Sequence, residues 1–368
     1  MAYKILVLRG DGIGPEVAGE ALQVLKVIAR RSAVEMEFKE GMIGGHALDA
    51  VGVPLPDDVL KQARESDAIL LGAVGGPKWD NPAADKRPEQ ALLGIRKALG
   101  LFANVRPVKS VKEIVGSSPL RPEVVSGVDL VVIRELTGGI YYGKPSEKRQ
   151  GKDGREAVDT CFYSEAEIAR VLTYGFELAR ERRKKLTSVD KANVLSSSRL
   201  WREIAVELSA KFSDVAFENQ LVDSMAMHLI RRPKDFDVIV TENLFGDILT
   251  DEASVLAGSM GMLPSASLGE DLNSAGYRVG LYEPIHGSAP DIAGRDEANP
   301  LAAIMSAAML LEHSLGMHTE AELVTQAVEE VVRDGYRTRD LHGAPGTHTV
   351  GCKAMGRLVR EKIEATEG

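Results

Sequence analysis

Short β-branched runs alternate with amphipathic stretches along nearly the whole chain, and this alternation is the strongest constraint on what it can fold into. "KILVL", "AVEMEF", "DAILLGA", "VDLVVI", "KLTSVD", "DVAFEN" and "FDVIVT" each precede or follow a segment of helical period. That order predicts a mostly parallel sheet with helix layers, an α/β fold. At 368 residues the chain exceeds what one core usually supports, so two α/β lobes or one large domain with an extension are expected. The segment from Gly138 to Tyr163 interrupts the rhythm with Gly, Lys, Arg and Asp and then ends in "REAVDTCFY". It reads as a projecting two-stranded β-arm or a long loop, and an arm of that type commonly serves a second subunit. After about residue 258 the pattern becomes loop-rich, before helical segments near 299–315 and 319–335.

The opening "ILVLRGDGIGPEV" places Gly10, Gly12 and Gly14 between an apolar run and a helix, the setting of a dinucleotide-binding turn. Pro15 stands where that fingerprint needs its third glycine, and Glu16 in the helix's first turn would repel a phosphate. The competing reading is a tight strand-to-helix turn with Pro15 at the start of the helix.

Charge and cysteine usage exclude several classes. A net charge of -9 argues against nucleic acid as the main partner. No apolar run approaches a membrane span. "YKILVL" follows Met1 almost at once, without the three regions of a signal peptide, so a cytoplasmic location is expected. Cys161 and Cys352 lack metal-ligand spacing and suggest neither a disulfide framework nor a thiolate zinc site.

Three arginines stand out. Arg96 lies on a predicted helix, Arg106 at the end of the strand after it, and Arg134 at the end of "VDLVVIR". Guanidinium groups at the mouths of apolar strands suit a dicarboxylate, each carboxylate held by a two-pronged contact. A structural ion pair is the competing use of each. Leu92 and Leu93, one turn before Arg96, offer either an apolar wall for a substrate or ordinary core packing. In "TENLFGDILTDEAS", Asp247 and Asp251 share one helical face and would repel unless a cation lies between them; Mg2+ or Mn2+ suits such oxygen ligands. Asp223 supplies a third carboxylate; the competing reading is that these acids cap helices or lie in water. Lys191 at a strand end could serve as a base and Tyr141, after a glycine turn, as an acid, though each residue type is common in such places. "EPIHGSAPDIAGRDEANP" puts His286, Gly287, Ser288 and Ala289 in a small-residue loop, with Asp291 and Asn299 beyond. Such a loop lets the backbone approach a nucleotide, and an aspartate there favours NAD over NADP; a plain surface loop is the alternative.

Taken together, "GDGIGPEV", "GAVGGPKWD", "RELTGGIYYG", "VDKANVL", "NLFGDILTD", "EPIHGSAPDIAG" and "GYRTRDL" closely resemble the β-decarboxylating hydroxyacid dehydrogenases of the isocitrate/isopropylmalate dehydrogenase family. The resemblance implies a two-domain isopropylmalate dehydrogenase-like α/β fold rather than a Rossmann fold. Residues 1–101 and 258–368 would form the first domain, 102–257 the second. It places NAD around Gly76 to Glu89 and Gly287 to Asn299, with the glycine turn lying beside it. Arg96, Arg106 and Arg134 would hold the carboxylates of a branched 2-hydroxy dicarboxylate, 3-isopropylmalate, with Leu92 and Leu93 against its isopropyl group. Asp247 and Asp251 would bind Mg2+ or Mn2+ with Asp223, which also counts among the substrate contacts. Lys191 would be the base and Tyr141 the acid, with Asp223 and Lys191 coming from the second subunit of a homodimer. The implied activity is NAD-dependent oxidative decarboxylation in leucine biosynthesis. Sibling enzymes acting on isocitrate, homoisocitrate or tartrate would need a polar group where Leu92 and Leu93 stand. A non-catalytic regulatory subunit would be expected to lack Tyr141, Lys191 or one of the aspartates. The stretch "LGEDLNSAGYRVGLYEP" is longer than the family usually has there.

Overall fold

Strands flanked by helices on both faces must be apolar on both faces, and the third and tenth strands of this chain, buried at every residue, obey that rule most fully. The computed structural model describes residues 2–80, 86–341 and 345–366. Its principal strands are β1 (Tyr3–Gly10), β2 (Met36–Gly41), β3 (Ala68–Ala73), β4 (Ala103–Lys109), β5 (Asp129–Glu135), β6 (Ser146–Gly151), β7 (Gly154–Asp159), β8 (Lys185–Asp190), β9 (Ala216–Leu221), β10 (Val238–Thr241), β11 (Pro264–Leu272) and β12 (Arg278–Pro284).

The chain divides into two compact units. The first comprises Met1–Leu101, Ser110–Pro122 and Ser254–Gly368. Its strands run in the order β2-β1-β3-β12-β11, parallel except for the β11–β12 pair. Register sets Leu6 opposite Ile69 and Leu8 opposite Leu71. These four pack with Ile43, Val59, Ala91, Ile95 and Leu281 into a core closed by helices Asp57–Arg64 and Glu89–Ala98. Helices Gly14–Arg31 and Leu301–Leu315 pack against other elements of this unit, the second being buried almost throughout. Each fully buried Leu or Ile contributes about 1.5–3 kcal/mol, so the core is anchored by strands rather than loops.

The second unit comprises Phe102–Lys109 and Glu123–Ala253. Its strands run β4-β5-β10-β8-β9, with β4 antiparallel to β5 and the other pairs parallel. Helix Glu165–Glu181 starts with a reciprocal cap between Ser164 and Glu167 and approaches the sheet at Gly175, where an added Cβ would lie 2.4 Å from Val240 Cγ2. β6 and β7 form an antiparallel hairpin whose side chains are mostly exposed, matching the expected two-stranded arm.

Three expectations change. The region after residue 258 is not loop-rich: β11 and β12 pair antiparallel over much of it, because backbone pairing builds a strand from the small residues of "PSASLG". The segment Ser110–Pro122 and residues 254–257 belong with the first unit, not with a continuous 102–257. The reason is long-range bonding: Arg337 Nη2 donates to the Glu113 carbonyl, and Ser118 Oγ to the Val255 carbonyl. Arg106 occupies the middle of β4, not its end. Among the described residues, no helix is long and apolar enough to cross a membrane.

Candidate active site

The glycine turn after β1 resolves into a packing device. Gly10 and Gly12 have φ of 71° and 57°, and a Cβ would stand 1.8 Å from the Ala73 carbonyl oxygen and 2.0 Å from that of Ser288, respectively. Polar groups of this turn bond to other parts of the chain. Ile13 N–H donates to the Ser288 carbonyl at 2.8 Å. The Asp11 carboxylate accepts from the N–H groups of Gly45, His46 and Gly75 at 2.7–2.8 Å. Glu16 accepts from Gly294 N–H at 2.5 Å. A turn that presents two carboxylates of its own, Asp11 and Glu16, is a poor pyrophosphate cradle.

The same unit carries the loops expected to hold a nucleotide. Gly75 lies against Glu89, whose Oε1 is 2.5 Å from where a Cβ would be, and Gly76 has Ser288 Oγ at 4.0 Å on the same basis. A cleft of about 620 Å³ is lined by His286, Ala289, Asp291, Asn299, Arg295 and Arg339 among others. His286 Nε2 is buried without a hydrogen-bond partner, while Nδ1 faces the Gly287 carbonyl at 2.9 Å. Burial holds this imidazole below the usual histidine range, so it is neutral at neutral pH. Gly287 faces open space. Residues 81–85 of the first expected loop lie outside the described residues. A second cleft, about 830 Å³ beside Lys4, Arg64 and Asn273, contains none of the expected residues.

Arg96, on helix Glu89–Ala98, is buried and pairs with Glu283 at 2.7 Å, leaving its Nε without a partner. Glu283 escaped sequence reasoning; its place just before "PIHG" was the available signal. Leu92 and Leu93 are half-buried on that helix, and Leu92 packs against the core around Leu6 and Ile69.

In the second unit three expected residues converge. Arg134 on β5 pairs through Nη1 with Asp247 and donates Nε–H to Asn243 Oδ1 at 2.9 Å. The hydroxyl of Tyr141, in the 3-10 turn Gly139–Tyr141, donates to the other oxygen of Asp247 at 2.7 Å. The Arg134 guanidinium lies 5.6 Å from the Tyr141 ring centroid. Burial, then the bond to Asp247, pushes the Tyr141 hydroxyl up to about 12, so it keeps its proton at neutral pH. Arg106 donates to Asn104 Oδ1 at 2.6 Å and to Thr250 Oγ1 at 2.5 Å. Asp251, one turn beyond Asp247 on helix Asn243–Ala257, has its carboxyl raised by burial and by Asp247's charge, against the pull of Arg106 and Arg134. Asn104 sits two residues from Arg106 on a strand, and Thr250 three from Asp247 on a helix; those spacings put each on its partner's side.

Lys191 and Asp223 form a separate pair, Nζ to Oδ1 at 2.6 Å, with Lys191 just past β8 and Asp223 in the first turn of helix Val222–Arg231. That bond holds the Asp223 carboxyl below its ordinary value. Among the described residues, Asp223, Asp247 and Asp251 do not form a close trio of ligand atoms within one chain. The trio that does, Glu16, Asp296 and Cys352, has its acids occupied by the N–H groups of Gly294 and Lys353.

The profile of the isocitrate/isopropylmalate dehydrogenase family matches residues 4–359. The chain is 55% identical over 362 residues to the 3-isopropylmalate dehydrogenase of Aquifex aeolicus, covering 98% of this chain and 97% of that one. It is 57% identical over 344 residues to the enzyme of the same name from Geobacillus kaustophilus, covering 94% and 91%. Among solved structures it resembles isocitrate dehydrogenase from Methylococcus capsulatus with a TM-score of 0.84 at 34% identity, over 98% of this chain and 99% of that one.

Proposed function

The chain belongs to the isocitrate/isopropylmalate dehydrogenase family, and from that premise we propose that it oxidatively decarboxylates 3-isopropylmalate with NAD, giving 2-oxoisocaproate and CO2 in leucine biosynthesis. The observation that carries this reading is the convergence of Arg134 and Tyr141 on Asp247, a carboxylate binder and a protonated hydroxyl meeting on one acid. Relatives named for this activity at 55–57% identity support the substrate.

Arg96, Arg106 and Arg134 are assigned to the two carboxylates, and Leu92 and Leu93 to the isopropyl group. Arg96 suits that role because a buried guanidinium N–H without an acceptor has one bond left to offer. An alkyl group against two leucines is cheap to desolvate, whereas a third carboxylate there is not.

Two groups fit the residues present. Asp247 and Asp251, all-oxygen donors of like charge on adjacent turns, suit Mg2+ or Mn2+, with Asp223 added from a second subunit. Bound there, the ion would supply Lewis acidity to the oxygen on C2. The neutral, unpartnered His286 Nε2 beside Asp291 and Asn299 suits the adenosine part of NAD, with Gly76, Glu89, Gly287, Ser288 and Ala289 completing its surroundings. NAD would supply the hydride acceptor.

Lys191, also from the second subunit, takes the proton of the C2 hydroxyl. The arginines keep the departing carboxylate and the retained one in fixed directions, so that only one carbon–carbon bond is aligned to break. Tyr141 then delivers its proton to the carbon that CO2 leaves. We accordingly infer a cytoplasmic homodimer with shared sites, whose arm, β6 and β7, serves the partner.

The test is nicotinamide reduction at 340 nm, within roughly the usual range of enzyme turnover. 3-Isopropylmalate, isocitrate, homoisocitrate and tartrate are each offered with NAD or NADP plus Mg2+. Turnover highest with 3-isopropylmalate and NAD supports the reading; preference for another acid or for NADP defeats it.

A further inference from the structure

Behind Arg134 and Tyr141 lies a buried polar network that the reaction above does not use. Asn243 is 1% exposed and has three partners. Its Oδ1 accepts from Arg134 Nε at 2.9 Å, its Nδ2 donates to the Gly138 carbonyl at 3.0 Å, and its backbone N–H donates to the Tyr163 hydroxyl at 2.9 Å. Only one orientation of the carboxamide serves both side-chain partners, since a guanidinium needs an acceptor and a carbonyl needs a donor. Gly138 N–H in turn donates to Glu135 at 2.8 Å, and Gly139 N–H to the Phe162 carbonyl at 3.0 Å. The Tyr163 ring fills the space beside both glycines: a Cβ at Gly138 would lie 2.7 Å from its Cε1, and one at Gly139 2.5 Å from its hydroxyl. The same ring meets Trp201 edge-on at 5.8 Å, which fixes it from the other side. The Gly138–Gly139 turn leads directly to Tyr141.

We propose that Asn243 is a positioning residue, whose carboxamide locks Arg134 to the glycine turn carrying Tyr141 while the Tyr163 hydroxyl anchors Asn243. This rests on the reaction assigned above. Without the carboxamide, Arg134 loses the acceptor that aims its guanidinium and the turn loses the donor that sets the height of Tyr141. Misplacing either group by about 1 Å costs up to about a hundredfold.

Asn243→Ala and Tyr163→Phe test this in the full-length enzyme, with circular dichroism to verify folding. Asn243→Ala should raise KM for 3-isopropylmalate and lower kcat, each by about tenfold or more, and leave KM for NAD within about twofold. Tyr163→Phe should move the same two constants by less, and it carries the test if Asn243→Ala does not fold. A purely structural role would lower the active fraction without touching KM; that result overturns the proposal. A crystal structure of a folded variant gives an independent readout: Arg134 and Tyr141 still seated on Asp247 would also overturn it. If the unaltered enzyme turns over no 3-isopropylmalate, the assigned reaction fails, and this crystallographic comparison alone decides the positioning role.

Discussion

Tyr141 donates to Asp247 across 2.7 Å, so the hydroxyl assigned to protonate carbon touches a carboxylate assigned to the metal. The two steps of the reaction are thereby tied to one helix, Asn243–Ala257. Tyr141→Phe removes the proton and leaves the ring beside Arg134. Its kcat should fall by about a hundredfold to ten-thousandfold, with KM for 3-isopropylmalate nearly unchanged. Steady-state kinetics giving unaltered kcat would remove Tyr141 from the mechanism.

Lys191 bonds Asp223 rather than Asp247, which suggests a division of the site between subunits. Lys191→Met should be as inactive as Tyr141→Phe. Mixing the two inactive proteins, unfolding and refolding them together, should restore about a quarter of normal activity, because random pairing makes half the dimers mixed and each mixed dimer rebuilds one intact site. No recovery, with dimers verified by sedimentation, would mean each chain keeps its own Lys191 and Tyr141 together.

Asp251 sits under the charge of Asp247, so removing one charge weakens any cation between them. Asp251→Asn should raise the Mg2+ concentration for half-maximal activity about tenfold to a hundredfold. Chelation should abolish activity in the unaltered enzyme, and added Mn2+ or Mg2+ should restore it. A metal titration unchanged by the substitution would contradict the ligand assignment.

Leu93 is half-buried beside Arg96's helix turn. Shortening it should affect a branched substrate and spare an unbranched one. Leu93→Ala should raise KM for 3-isopropylmalate about tenfold and change KM for malate little, as measured with both acids. Equal effects on both would make Leu93 a packing residue only.

Burial pushes the Glu242 carboxyl above its ordinary value of 4.5, outweighing the bonds from Phe245 and Leu244 N–H. Raised in the fold, the group binds its proton more tightly there than in the unfolded chain. Its stabilising contribution is therefore complete below pH 4.5 and lost as pH climbs through the higher folded value. Relative to Glu242→Gln, the unaltered protein should lose Tm as pH rises from 4.5 toward neutrality. A Tm difference that is flat, or that moves the other way, would refute this.

How much of this was legible in the sequence depended on whether the signal was local. β1, β3, β5 and β10 are continuous apolar runs, and the i, i+4 spacing of Asp247 and Asp251 is a property of helices, so both could be read directly. β11 and β12 could not, because small residues become strand through pairing partners rather than through their own preference. Asn243 and Thr250 are neutral polar residues with no diagnostic spacing to Arg134 or Arg106, from which they lie 109 and 144 positions away. Only folding makes them neighbours. The return of residues 110–122 to the first unit likewise depends on a distant carbonyl contact, between Glu113 and Arg337.

Asp11 gathers three amide hydrogens from chain segments 34 to 64 residues distant. For anyone redesigning coenzyme preference, this makes the first glycine turn the wrong place to cut. Its charge is already matched, and grafting a phosphate-loop consensus there would unfasten the start of helix Gly44–Val51 and the loop at Gly75 before it recruited any nucleotide. Engineering effort belongs instead at Asp291, assigned above to the coenzyme, which is exposed and lines an open cleft.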